Sequence, residues 1–325
     1  LSRKQERANE ETAAPERPKQ ANRRLTRQLE QANKEIAMLR ARLAKRQLGD
    51  EIEGIKPENI VWVFGSARTG STWLSSMMKT LRDHDRWNEP LIGDLFGSFY
   101  YEQRELKHDR TNFILGSVYR ETWLSSIRSF VLDGATARYP EVAEKGGYLV
   151  IKEPHGSMGA PLLVEALPES RMIFLVRDPR DVAASGLHVT FVRTGVSEER
   201  RQRAEEQPEE MVRGRAERYL REINRTKEAY EAHEGRKVLV RYEDLKSDTL
   251  GTMRHIYSAL EIPVDEGELA KAVEKHAWEN IPEDKKGPGT VRRRGTSGGW
   301  REDLTPEQVE IVERITAPLL EEFYA

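Results

Sequence analysis

The sequence predicts an α/β fold, a parallel sheet flanked by helices, with an N-terminal helical, coiled-coil arm. Three observations carry this. Short continuous apolar runs alternate with longer amphipathic or charged stretches. A glycine turn with phosphate-loop spacing follows the first of those runs. Leu25, Leu29, Ala32, Ile36, Leu39 and Leu43 alternate spacings of four and three, a heptad seam.

In chain order, residues 1–22 are polar, contain Pro15 and Pro18, and read as a disordered tail. Residues 23–48 carry the heptads and read as a helical coiled-coil arm, a route to a homo-oligomer. The first 50 residues hold 13 basic and 7 acidic side chains, so the arm is locally basic. A breaker region over 49–57 leads to the main domain, 58–325. Residues 60–64 are continuously apolar and short, as a strand buried on both faces requires. A helix follows over 71–82, and a second strand ends just before Glu89. Further buried strands fall at 148–151, 172–176 and 238–241. Helices are expected at 161–167, from about Asp181, over 197–233 with a break near Pro208, and at 248–260, 266–276 and 306–323. Strands alternating with helices imply a sheet covered on both faces. Three stretches break the rhythm: an aromatic-rich 90–145, a charged 192–215, and a Gly- and Arg-rich 282–301. Long insertions at strand ends are where α/β sheets place substrate sites.

Composition narrows the chemistry. A third of the 325 residues are charged, yet the net charge is only −2, which argues against general attraction to nucleic acid or membrane. The absence of cysteine excludes disulfides, thiol nucleophiles and zinc–thiolate sites, and favours a reducing compartment such as the cytoplasm. No apolar run approaches the roughly 18 residues that span a bilayer.

The loop Gly65 to Thr72 has the spacing of a nucleotide-triphosphate cradle, but Ser71 stands where that motif has lysine and Arg68 stands inside the loop. A strand, a glycine turn and a helix start gather backbone N–H groups and the positive end of a helix dipole at one point. Without the lysine, and with no carboxylate placed for magnesium, the cradle suits a less charged group than a terminal phosphoryl. A sulfuryl group is such a ligand and needs no metal. A second stretch, "FLVRDPRDVAAS", ends a strand at Val176, places Arg177 just beyond it, turns at Pro179, starts a helix with Asp181 and brings Ser185 near that helix's first turn.

Together these stretches resemble the sulfotransferase family that uses 3′-phosphoadenosine 5′-phosphosulfate (PAPS), a P-loop NTPase-like fold. Arg68-Thr69-Gly70-Ser71-Thr72-Trp73 resembles its 5′-phosphosulfate loop, in the form of the carbohydrate and tyrosylprotein branches. Arg177, Pro179, Asp181 and Ser185 resemble its 3′-phosphate motif. "VRYEDL" and "RRRGTSGGW" resemble a later strand and the loop that closes over the donor, although Arg294 and Gly299 replace that loop's lysine and aspartate. The resemblance implies that Arg68, Thr69, Gly70, Ser71 and Thr72 hold the phosphosulfate. It implies that Arg177 and Ser185 hold the 3′-phosphate, with Arg293, Arg294 and Gly295 closing on it, and that Trp73 stacks on adenine.

Transfer to a hydroxyl needs a base, cations for developing charge, and in-line positioning. Glu89, in "NEPL", is the favoured base, and the resemblance to the carbohydrate branch there points to a glycan or glycoconjugate acceptor. Lys152, just past a buried strand, can donate to the bridging oxygen, while Glu153 and His155 are alternative bases. The histidines show no metal-ligand spacing, and no metal is expected. Two rival functions stay open at this stage: an ATP-dependent small-molecule kinase of P-loop fold, and a non-catalytic coiled-coil scaffold.

Overall fold

The computed structural model describes residues 54–107, 112–193, 195–287, 289–290 and 296–325. The tail and the coiled-coil arm lie outside them, as do Arg293, Arg294 and Gly295.

Five parallel strands form one sheet: β1 (Ile60–Gly65), β2 (His84–Asn88), β3 (Tyr148–Lys152), β4 (Arg171–Val176) and β5 (Lys237–Arg241), in the order β2-β3-β1-β4-β5. Every residue of β1 and β4 is buried, the reason each carries a continuous apolar run, over 60–64 and 172–176. Side chains alternate between the two faces. Trp62, Phe64, Ile151 and Phe174 face a core that includes Trp123, Ile127, Tyr219 and Ile223. Val61, Val63, Val150 and Ile173 face another with Leu74, Met77, Met253 and Tyr257. The edge strand β2 reads HDRWN and is only half-buried, a charged edge that discourages pairing with another sheet.

The helices that matter for the site are α1 (Ser71–Thr80), α2 (Arg120–Arg138), α3 (Pro179–Val192), α4 (Glu198–Glu206), α5 (Pro208–Ala232), α6 (Tyr242–Ser247) and α7 (Pro306–Tyr324). The charged 197–233 region is two helices separated at Gln207, with Pro208 opening the second where its missing N–H costs nothing. Helix α3 starts earlier than the sequence suggests. Asp178 is its N-cap, accepting from Arg180 N at 2.8 Å, and Pro179 is its first residue. Asp181 is therefore not the residue that starts the helix.

The aromatic segment 90–145 is mostly structural. Tyr100 and Trp123 are buried, and Phe96, Tyr101 and Tyr139 pack on the same core. Phe99 and Phe130 remain about half exposed. Helix α2 runs through this segment and buries Trp123, Ile127, Val131 and Ala135, four positions at helical spacing.

Strand register sets the geometry of the site. β1 lies between β3 and β4, with Val63 opposite Lys152 and Gly65 opposite Leu175. The C-terminal ends of three adjacent strands thus present Lys152, the glycine loop and Arg177 side by side. Neighbouring strands are about 4.8 Å apart, so the row spans about 10 Å.

Candidate active site

The loop after β1 is shaped by contacts from beneath. Gly65 N donates to Ser157 Oγ at 3.0 Å, Thr69 Oγ1 donates to Ser66 O at 2.7 Å, and Ser66 Oγ donates to buried Glu222 at 2.6 Å. Gly70 has φ 94°, and a Cβ there would sit 2.5 Å from the Tyr242 ring, so the close approach of α6 requires glycine. Arg68 has φ 75°, a left-handed conformation that a long side chain adopts only when its surroundings enforce it. Thr72 stays exposed at the start of α1, while Ser71 is buried.

Arg68, Arg177 and Ser185 converge. Arg68 Nε donates to Ser185 Oγ at 3.0 Å, and Arg177 donates to Arg68 O at 3.0 Å. The Arg177 guanidinium also lies 4.2 Å from the centroid of the Tyr242 ring. Among the described residues its buried Nε has no hydrogen-bond partner. Burial and the neighbouring charges of Arg177 and Arg193 lower the Arg68 guanidinium to about 10. Two mutually repelling, desolvated cations over a glycine loop fit an anionic ligand.

Asp181 has a role that the sequence did not disclose. It is 4% exposed, and its carboxylate accepts from Gly298 N at 2.8 Å and Trp300 N at 3.1 Å, with Arg177 at 3.6 Å. It ties the later Gly-rich loop to α3. This contact holds Gly298 and Trp300, on either side of Gly299. Arg180 adds a stacking contact, 4.3 Å from the Trp300 ring centroid. Trp73 is half-buried, donates to His276 O at 2.9 Å and meets the edge of Tyr242 at 6.2 Å.

At the other end of the row, Lys152 is buried and bridges two groups. Its Nζ lies 2.5 Å from Glu89 Oε1 and donates to Thr72 Oγ1 at 3.1 Å. Glu89 N also donates to Lys152 O at 2.8 Å, so backbone and side chain fix the pair together. Partial burial raises the Glu89 carboxyl, but the Lys152 hydrogen bond and charge outweigh it and bring the carboxyl below its ordinary range. Burial lowers the Lys152 ammonium, against the pull of Glu89. Glu89 is half-exposed, whereas Glu153 is fully buried. His155 is half-buried, with Nδ1 3.2 Å from Arg218, which in turn pairs with Glu222 at 2.7 Å. Burial lowers its imidazole below the usual range. The Arg218–Glu222–Ser66 chain and Arg193 went unnoticed in the sequence. Their only signal is a charged helix, which ordinarily reads as a solvated surface.

Among the described residues, no group of three or more histidine or acidic side chains is placed to hold a metal, and no helix is long and apolar enough to cross a membrane. The family model described as a sulfotransferase domain matches residues 58–324. The fold is similar to that of mouse sulfotransferase SULT7A1 complexed with PAP: 15% identity, 82% of this chain and 90% of that one, TM-score 0.51. Sulfotransferase STF9 from Mycobacterium avium aligns at 17% identity over 83% of this chain and 78% of that one, TM-score 0.49. No curated protein matches the sequence.

Proposed function

The chain belongs to the sulfotransferase family, and from that premise we propose that it moves a sulfuryl group from PAPS to an acceptor hydroxyl with Glu89 as base. The observation that carries the reading is the row of three strand ends. Arg177 and Ser185 stand beside the glycine loop on one side, and the Lys152–Glu89 pair stands on the other.

In this reading Arg68, Thr69, Gly70, Ser71 and Thr72 hold the phosphosulfate, Arg177 and Ser185 the 3′-phosphate, and Trp73 flanks the adenine, with Arg293, Arg294 and Gly295 closing from the later loop. PAPS supplies an activated sulfuryl group. The acceptor oxygen forms a bond to sulfur as the bond from sulfur to the bridging phosphate oxygen breaks. The acceptor proton passes to Glu89, and 3′-phosphoadenosine 5′-phosphate (PAP) departs. Lys152 holds Glu89 ionised and reaches Thr72, so its ammonium can stabilise the leaving oxygen. Positioning and charge are expected to dominate, by analogy with phosphoryl transfer. No metal is part of this scheme.

A glycan or glycoconjugate hydroxyl is the acceptor we favour. Arg193 and His155 sit close enough to bias the Glu89 carboxyl, which makes the acceptor side polar. The cysteine-free chain suits the cytoplasm, and the heptads suit a homo-oligomer.

The test is a thermal-shift series with PAP, ADP and ATP–magnesium. A ligand at 100 times its Kd adds about 2.7 kcal/mol of stability. PAP alone is expected to stabilise strongly, without magnesium. Stabilisation by ATP–magnesium and none by PAP would defeat the reading.

A further inference from the structure

We propose that Glu153 is a positioning residue, whose buried carboxylate anchors the turn after β2 and thereby fixes the Glu89 carboxylate against Lys152. The proposal rests on the reading of Glu89 as base. It assigns Glu153 a task other than proton transfer.

Lys152 and Glu153 are consecutive, so the strand pleat sends them to opposite sides. Lys152 points to Glu89 and Thr72. Glu153 continues the strand's pairing, its N–H donating to Val63 O at 3.0 Å, and its Oε1 accepts from Ile92 N at 2.8 Å. Among the described residues its other oxygen, also buried, has no hydrogen-bond partner, and the carboxylate makes no ion pair. Burying such a group is costly.

The turn it holds is strained. Glu89 has φ 51° and Leu91 has φ 61°, on either side of Pro90. Non-glycine residues in this region cost free energy and persist only when neighbours over-determine them. Two anchors do so here. The Glu89 N–H bond to Lys152 O fixes the start of the turn, and Glu153 fixes its end at Ile92. Just beyond, Gly93 and Gly97 lie against the backbones of Gly156 and Gly159, where a Cβ on either would overlap the facing chain. The segment after the base is thus clamped to the segment after β3, and Glu153 is the polar link between them. Without it, the strained turn can relax and carry Glu89 away from Lys152.

The experiment compares wild type, Glu153→Ala and Glu153→Gln. PAP affinity is measured by calorimetry, and steady-state transfer is followed from labelled PAPS into a panel of p-nitrophenyl glycosides. Glutamine keeps an acceptor oxygen for Ile92 N, and alanine does not. Displacement of a catalytic group by about 1 Å can cost about 10²-fold in rate. Glu153→Ala is therefore expected to lower kcat by about 10²-fold while PAP affinity and KM for PAPS change less than about threefold. Glu153→Gln is expected to recover at least about tenfold of that loss. Unchanged kcat in the alanine variant, or a glutamine variant no better than alanine, overturns the proposal. PAP binding shows separately whether the donor site stands: wild type that binds no PAP and transfers no label refutes the sulfotransfer reading itself.

Discussion

Glu153 offers a stability test that needs no acceptor. Burial pushes its carboxyl up to about 7 from 4.5, against the backbone dipoles of Ile92 and Leu91, and nearby Glu89 pushes the same way as burial. The folded protein therefore keeps a proton between about pH 4.5 and 7 that the unfolded chain releases. The stability from this group is fully present below about 4.5 and is lost as pH rises through about 7. A carboxyl held at about 7 instead of 4.5 corresponds to about 3 kcal/mol at most. Glu153→Gln fills the same space without the titration. Relative to wild type it should gain stability from pH 5 to about pH 7 and level off by pH 8, reaching a difference of up to about 3 kcal/mol. At roughly 2 °C per kcal/mol for a domain of this size, that is about 6 °C in Tm. Differential scanning calorimetry of both proteins across this pH range reads the difference directly, because groups common to both cancel. The variant should be the more stable protein and the slower enzyme, the trade expected where a strained site is held for function. A gap that stays constant with pH, or one that widens in favour of wild type, would sink this account of Glu153.

Three other outcomes are expected. Arg177→Ala should weaken PAP binding by about 10- to 100-fold, the value of charge-assisted hydrogen bonds, as read by isothermal titration; unchanged affinity would remove Arg177 from the donor site. Glu89→Gln should lower kcat by about 10²–10⁴-fold yet leave PAP affinity within about twofold, and a variant with normal turnover would return the search for a base to His155. Asp181→Ala removes the acceptor for Gly298 N and Trp300 N, so limited proteolysis should cut more readily near residues 296–300 and KM for PAPS should rise; a wild-type cleavage pattern would contradict the tether.

The elements that sequence reads well are those whose burial is symmetrical. Strands β1 and β4 are buried on both faces and announce themselves by the apolar runs 60–64 and 172–176. Helix α5 follows the same logic in reverse, because Pro208 marks its start and its buried face, including Val212, Ala216, Tyr219 and Ile223, repeats at helical spacing. Strand β2 is different. With HDRWN for a sequence and one neighbour, its identity comes from pairing with β3 and not from its own side chains. Helix α2 hides for a related reason: its aromatics look like a ligand wall until its spacing is matched to a core. Within the site, motif spacing locates the loop and Arg177 because chain-local geometry fixes them. The Lys152–Glu89 bond, the Asp181 tether and the burial of Glu153 are invisible in one dimension, since each joins residues distant in the chain or depends on what is stacked above. Asp181 also shows how a near miss arises. An acidic residue near a helix start suggests a cap, but Asp178 three residues earlier already fills that role.

The central place of β1 has a further consequence. Arg177, Ser185 and Tyr242 follow β4 and β5, on one side of β1. Lys152 and Glu89 follow β1's other neighbour, β3, and the edge strand β2 beyond it. The two clusters thus share one central strand, and if the proposed roles hold, changes to the chain between β2 and β3 should alter acceptor choice more than PAP affinity.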